Sequence, residues 1–331
     1  MRLLVLNCHE AWVHQLGALG AELDVVVGLP GRYTSEWDTR MRPLPAGART
    51  LTLNEARGAE RQYDCVINHN ITDLLDTRSI AAPKLLVLHE TLEGRMQQQG
   101  AEFEARDMRA LLNSYLATVG GYAIAISRTK AKSWGVTHTV VQNSVDPDAY
   151  LPHVGDVSSG IRVANHITSK RDFLAWDFHQ QALSGMAVRL VGHNPDMPNV
   201  QPAADWTHLK RMLASHRFMV HTADPRYEDG YNMAVLEGMA AGLPILSNAH
   251  PTTLVEHGTS GFVAATPAEM RQYAQRLLDD EALAQRMGEA AREQVQRSHG
   301  PDRFRVEFTR AVREAKKKWA RRSANATAGK R

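Results

Sequence analysis

The chain has 331 residues, 43% hydrophobic and 23% charged, the composition of an ordinary folded protein long enough for two medium domains with separate cores. Two cysteines, Cys8 and Cys65, exclude a disulfide framework and a cysteine-rich metal site, and the 15 histidines are scattered without tight metal-ligand spacing, so no metal is expected. The formal charge of +3 is uneven: residues 301–331 hold eleven Lys and Arg against three acids, the remainder is net acidic, and a basic tail without an aromatic-interleaved motif argues against nucleic acid.

The opening Met-Arg-Leu-Leu-Val-Leu-Asn-Cys-His-Glu turns acidic too soon for a secretion signal, and no apolar run reaches the eighteen or so residues of a membrane span. A cytoplasmic protein is expected. Leu3–Leu6, Val25–Val27, Cys65–Ile67, Leu85–Leu88, Tyr122–Ile126 and Thr139–Val141 are near-continuous apolar runs separated by helix-sized segments, the pattern of a parallel sheet covered on both faces. The stretch from Gly28 to Thr50 is rich in Pro and Gly and is expected to be a loop shaping a cleft. The polar Asn7-Cys8-His9-Glu10 after the first strand either lines a ligand site or merely caps the first helix.

Asn143 to Gly160 carries the turn-forming composition of a domain boundary, placed after Tyr150, and Asp146-Pro-Asp148 within it reads as turn chemistry rather than a metal clamp. A second strand series follows at Ile161–Ala164, Val188–Val191, Phe218–His221, Pro244–Leu246 and Phe262–Val263. The expected fold is therefore α/β, with Rossmann-like domains at 1–150 and 151–300. Thr266-Pro-Ala-Glu269 opens a helix as a capping box with Pro at its first position. Two amphipathic helices come next, one through Leu283, Met287, Ala291 and Val295, the other a basic helix carrying Phe304, Phe308, Val312 and Trp319. The apolar side of that last helix (301–331) either packs back on the amino-terminal domain or lies on an anionic membrane surface, and the chain is expected to fray beyond Arg321.

The most informative stretch is Arg226 to Pro244. It reads as a turn at a strand's carboxyl end followed by a buried helix, with Met233, Leu236 and Ala240 on one stripe and Gly242 and Pro244 ending it. A helix start near Gly230 offers backbone N–H groups and a positive dipole end to a phosphate. Asp229 and Glu237, eight residues apart, lie on the turn and on the helix's second turn, where they address different hydroxyls of one elongated ligand; Glu228 to Glu237 fits less well.

Asp229-Gly-Tyr-Asn-Met-Ala-Val-Leu-Glu237-Gly-Met-Ala-Ala-Gly-Leu-Pro244 resembles the donor-binding motif of the retaining glycosyltransferases of family 4, a Glu-x7-Glu pattern closing with Glu-Ala-Met-Ala-x-Gly-x-Pro. The departure is Asp229 in place of the first Glu. The resemblance implies the GT-B architecture, two Rossmann-like domains facing across a cleft. It runs from about Val188 to Gly261, with weaker echoes in Asn143-Ser-Val-Asp146 and Val191-Gly-His-Asn194. Val163-Ala-Asn165 followed by Lys170 looks like the family's Val-Gly-Arg followed five residues after the Arg by Lys. That implies a diphosphate-binding role for Lys170, with Asn165 standing where the family has Arg and Arg171 partly compensating. His89, after the Leu85 strand, resembles the family's histidine that contacts the donor sugar.

The activity implied is sugar transfer from a nucleoside-diphosphate sugar to a hydroxyl of a glycan, a lipid-linked acceptor or a small molecule, with retention and without a catalytic metal or other cofactor. Polysaccharide biosynthesis is the expected setting. Asp229 is implied to hold the sugar, Glu237 the ribose, and Gly230, Tyr231 and Asn232 the phosphate-facing turn. The competing readings are a non-catalytic sugar-nucleotide-binding subunit and a GT-B epimerase or phosphorylase.

Overall fold

The computed structural model describes residues 1–30, 36–60, 62–100, 104–136 and 139–328. Chain contacts divide it into two units, Met1–Asn143 with Pro301–Arg331, and Ser144–Gly300. The boundary thus falls at Asn143/Ser144 rather than after Tyr150, because the 144–150 segment is tied into the second unit: Val145 N–H donates to His299 O, and Lys210 Nζ donates to Ala149 O. Asp146 caps the short turn Pro147–Ala149 and accepts from the Asp148 amide at 3.0 Å.

The first unit is built on a six-stranded sheet of β1 (Arg2–Leu6), β2 (Glu22–Val26), β3 (Ala48–Leu51), β4 (Cys65–Asn68), β5 (Lys84–Leu88) and β6 (Tyr122–Ala125), in the order β3-β2-β1-β4-β5-β6. Every pairing is parallel. β1, β4 and β5 are buried along their whole length, as unbroken Leu, Val and Ile runs demand when both faces are covered. Two expectations change here. The polar Ala-Arg-Thr-Leu of β3 is an edge strand inside the stretch read as a loop, its pattern hidden because an edge needs little apolar surface. Thr139–Val141 contributes only an isolated bridge, Ala125 to Val140. Residues 31–35 of the expected loop lie outside the described residues.

The last helix, Pro301–Ala328, belongs to this unit and runs well past Arg321. Phe304, Phe308, Ala311, Val312 and Ala315 are fully or almost fully buried with Trp12, Val13 and Leu16. Packing therefore claims the apolar stripe that a membrane-lying helix needs, and Lys316, Lys317 and Lys318 remain exposed.

The second unit has five parallel strands, β7 (Val157–Val163), β8 (Val188–Val191), β9 (His216–His221), β10 (Ile245–Asn248) and β11 (Gly261–Ala264), in the order β11-β10-β9-β7-β8. Thr266 caps the helix Pro267–Asp279 by accepting from Glu269 N–H, while the Glu269 carboxylate reaches back to the amide of Ala265 rather than to that of Thr266. No described helix is long and apolar enough to cross a membrane.

Phe308 is 0% exposed, so Phe308→Ala leaves an uncollapsed hole beneath the last helix. We expect it to cost about 3–5 kcal/mol, read as a lower urea midpoint of the first unit with an unchanged slope.

Candidate active site at the carboxyl edge of the second sheet

In the second sheet the chain leaves β7 toward β8 and leaves β9 toward β10, in opposite directions. The point between β7 and β9 is therefore where the connections diverge, the usual place for a ligand in an open parallel sheet. The loop after β7 carries Asn165, Lys170 and Arg171. The loop after β9 carries Asp229, Gly230, Tyr231 and Asn232, and the helix that follows carries Glu237.

These two loops are bonded to each other. Arg162, in β7 and 2% exposed, donates from Nη1 to Thr222 Oγ1 at 2.8 Å and from Nη2 to Leu174 O at 3.0 Å. Thr222 Oγ1 also donates to Leu174 O, and the Asp224 amide donates to Phe173 O. The segment between them is bracketed by His166 and Ala175, both non-glycine residues with positive φ, +55° and +42°. Backbone held in this region costs of order 1 kcal/mol or more, and it persists because the His166 amide donates to His193 O and the surrounding bonds leave no alternative.

Lys170 is exposed on this segment and has no carboxylate partner among the described residues. Arg171 is exposed and pairs with Asp177. Asn165 does not stand open as a substitute cation: its Oδ1 accepts from His193 N–H at 2.8 Å, while Asn194 Nδ2 donates to Ala164 O at 2.9 Å. Together they stitch the β7 and β8 loops so closely that a Cβ on Gly192 would lie 2.2 Å from Ala164 O. Glycine is required there by space as well as by its φ of +144°.

The helix after β9 starts later than the sequence suggests. It spans Met233–Ala240, with Asn232 as its cap: Asn232 Oδ1 accepts from Val235 N–H at 3.0 Å, which leaves the amides of the first turn without intrahelical acceptors. Gly230 lies before it and has a different task. Its amide donates to Thr252 Oγ1 at 2.9 Å, and an added Cβ would meet Thr253 N at 2.7 Å and His250 Nδ1 at 2.8 Å. The β10 loop packs so closely against Gly230 that this contact by itself requires glycine. Tyr231 is 5% exposed and meets the edge of His299, with ring centroids 5.8 Å apart.

His250 and Thr252, which the sequence reading passed over, hold this turn. Thr252 N–H donates to His250 Nδ1 at 3.1 Å, so that nitrogen bears no proton, and Nε2–H donates to Glu228 O at 3.1 Å. Burial lowers the His250 pKa, consistent with the neutral tautomer that this pattern needs. The available signal was positional: a His-Pro-Thr loop at the end of an apolar strand. Asp229 is 1% and Glu237 5% exposed, so both carboxylates sit at the sheet edge almost out of water.

His89 belongs to the other unit. It follows β5, and its Nε2 lies 2.8 Å from Nδ1 of His69, which follows β4. Burial first, and then the His69 charge, hold the His89 imidazole well below the usual histidine range. His9 precedes the helix Glu10–His14 but makes no side-chain cap bond, so the Asn7–Glu10 cluster is not a helix cap.

A glycosyl transferase-like family model matches residues 171–329, just under half of the chain. No curated protein matches the sequence. Among solved structures, Anabaena HepE in complex with UDP and glucose is similar at a TM-score of 0.68 and 14% identity, over 94% of this chain and 99% of that one. Sucrose-phosphate synthase from Thermosynechococcus elongatus is similar at 0.65 and 13%, over 95% and 98%. TarM of S. aureus is similar at 0.58 and 15%, over 75% of this chain and 54% of its own.

Two buried histidines of this unit contribute most clearly to its response to acid. Burial, with Arg162 nearby, lowers His221 to about 4 and His179 to about 3. Both folded pKa values lie below the unfolded value, so the unfolded chain binds protons first: stability is complete above about pH 6.5 and is lost as pH falls toward those values. Urea denaturation at pH 5 and pH 7 should differ by roughly 2 kcal/mol per histidine, and His221→Gln should remove about one proton from the uptake on unfolding.

The chain has the two-domain fold of the GT-B glycosyltransferases, and residues 171–329 within it match a glycosyl transferase-like family model.

Proposed function

We propose that the protein is a retaining glycosyltransferase that moves a sugar from a nucleoside-diphosphate sugar to a hydroxyl of a glycan, a lipid-linked glycan or a small molecule, without a catalytic metal. The observation that carries this reading is the placement of Asp229 and Glu237 on either side of the Asn232 cap, at the divergence point of a sheet whose fold matches a protein seen with UDP and with UDP-glucose. The bond from the anomeric carbon to the diphosphate oxygen breaks through an oxocarbenium-like state, so the largest demand is stabilising charge on the departing phosphate. Lys170 and the open amides at Met233 and Ala234 meet that demand. Glu237 accepts from the ribose hydroxyls and Asp229 from the sugar. Only 1% of Asp229 is accessible, so this role includes a small displacement of the adjoining Arg226–Glu228 turn.

A non-catalytic sugar-nucleotide-binding subunit is the second reading, favoured by the engagement of Asn165 with the β8 loop and of Arg171 with Asp177. Turnover separates the two. In a thermal-shift screen of nucleoside diphosphates, UDP at a hundred times its Kd should stabilise the fold by about 2.7 kcal/mol. Glu237→Ala should weaken UDP about tenfold, and Lys170→Ala should lower kcat with UDP-glucose by about a hundredfold or more while leaving the fold intact. If no nucleoside diphosphate shifts the melting temperature, the donor reading fails; a shift without transfer or hydrolysis of any sugar nucleotide leaves the subunit.

Metal independence has its own test. Transfer should continue at an unchanged rate in excess EDTA, and loss of activity that added Mg2+ or Mn2+ restores would overturn it.

A further inference from the structure

We infer that Cys8, His69 and His89 in the first unit form a binding site for a borderline-soft divalent cation of the zinc class. The site lies on a different sheet from Asp229, Glu237 and Lys170, and it shares only His89 with the residues that the family resemblance assigns to the donor sugar. In that sheet β1 connects toward β2 and β4 toward β5, so the divergence point falls between β1 and β4. Cys8 follows β1, His69 follows β4 and His89 follows β5, three adjacent strands that end at the same edge.

One ligand atom from each of the three lies within 4.8 Å of the others, and the imidazole pair is closer: His69 Nδ1 and His89 Nε2 share a hydrogen bond at 2.8 Å, which a bound ion replaces. A tetrahedral zinc ion with bonds of about 2.0 Å to nitrogen and 2.3 Å to sulfur needs its ligand atoms roughly 3.3–3.6 Å apart. The required separations fall inside the observed range, so the rings part by about half an ångström while the sulfur closes by about one. Side chains anchored on strand ends can make such adjustments by rotation alone. A thiolate with two imidazoles is a donor set that selects zinc-like ions over magnesium or calcium.

The surroundings orient these ligands. Trp12 meets both imidazole rings edge-on, at centroid distances of 4.8 and 4.9 Å, and Asp73 accepts the His69 amide at 2.8 Å. Asn7, beside Cys8 and 3% exposed, has both amide atoms buried without a hydrogen-bond partner among the described residues, an uncompensated polar group of the kind that a bound ion or its water ligand satisfies. Burial first, and then the charges of Asp73 and Glu10, push the Cys8 thiol above its ordinary range, so its thiolate form needs a bound cation; burial, His69 and Lys130 act on His89 in the direction of the neutral imidazole that a metal takes. Cys8 and His89 are mostly buried but keep some exposed surface, through which an ion can reach them. Binding breaks the His69–His89 hydrogen bond and shifts its proton to the other nitrogen of the donor ring, forms one sulfur–metal and two nitrogen–metal bonds, and expels the thiol proton to solvent.

Titrating the full chain with CoCl2, without any sugar nucleotide, tests the site directly. One equivalent should produce an intense near-ultraviolet thiolate-to-cobalt band with the visible bands of a four-coordinate ion, and ZnCl2 should displace both. Cys8→Ser should abolish the near-ultraviolet band, and His69→Gln should weaken zinc at least tenfold, with circular dichroism checking the fold of each. Zinc K-edge absorption on the unmodified chain gives an answer that needs no variant: one sulfur neighbour near 2.3 Å supports the site, and a nitrogen-and-oxygen shell overturns it. Absence of the charge-transfer band, or its persistence in Cys8→Ser, also overturns it.

Discussion

Parallel pairing is the constraint on which the rest of this protein depends. When all strands of a sheet run the same way, every loop that leaves a strand emerges at one edge, and side chains distant in sequence meet there without further design. Each unit shows the consequence separately. In the second, the loops after β7, β8, β9 and β10 converge; in the first, the loops after β1, β4 and β5 bring two histidines and a thiol together.

Convergence alone does not fix geometry, and the second unit spends buried polar groups on doing so. Arg162 is a buried cation with no carboxylate partner among the described residues, satisfied by the Thr222 hydroxyl and the Leu174 carbonyl. Removing a guanidinium so placed would leave the Thr222–Leu174 bond as the remaining link of this triangle, so the group acts as a brace between loops rather than as surface charge. The ring of bonds from Gly230 through Thr252 and His250 to Glu228 does the same for the turn beside Asp229. It needs a neutral imidazole, and burial supplies one.

The residues that depart from the pattern the sequence resembles are accounted for unequally. Asn165 stands where that pattern has arginine and performs a structural task that arginine has no acceptor for, receiving the His193 amide. Asp229, shorter by one methylene than the family's glutamate, is nearly inaccessible. The last helix shows a similar competition for one surface: its apolar stripe serves either a membrane or a core, and Phe304 and Phe308 are in the core.

What the sequence determined by itself follows from local rules. Unbroken apolar runs marked β1, β4, β5 and β9, because a strand covered on both faces has no polar alternation to confuse with anything else. The spacing of Asp229 and Glu237 placed both at one helix start, and Thr266-Pro267 marked another. Edge strand β3 escaped, since an edge strand carries a polar pattern indistinguishable from a loop. Only the tertiary structure decided what Gly230 packs against, that Arg162 is buried against Thr222, and that Cys8 meets His69 and His89. These are contacts between residues twenty to sixty or more positions apart, set by strand order and by the direction in which each crossover leaves the sheet, and strand order leaves no periodic trace in the chain.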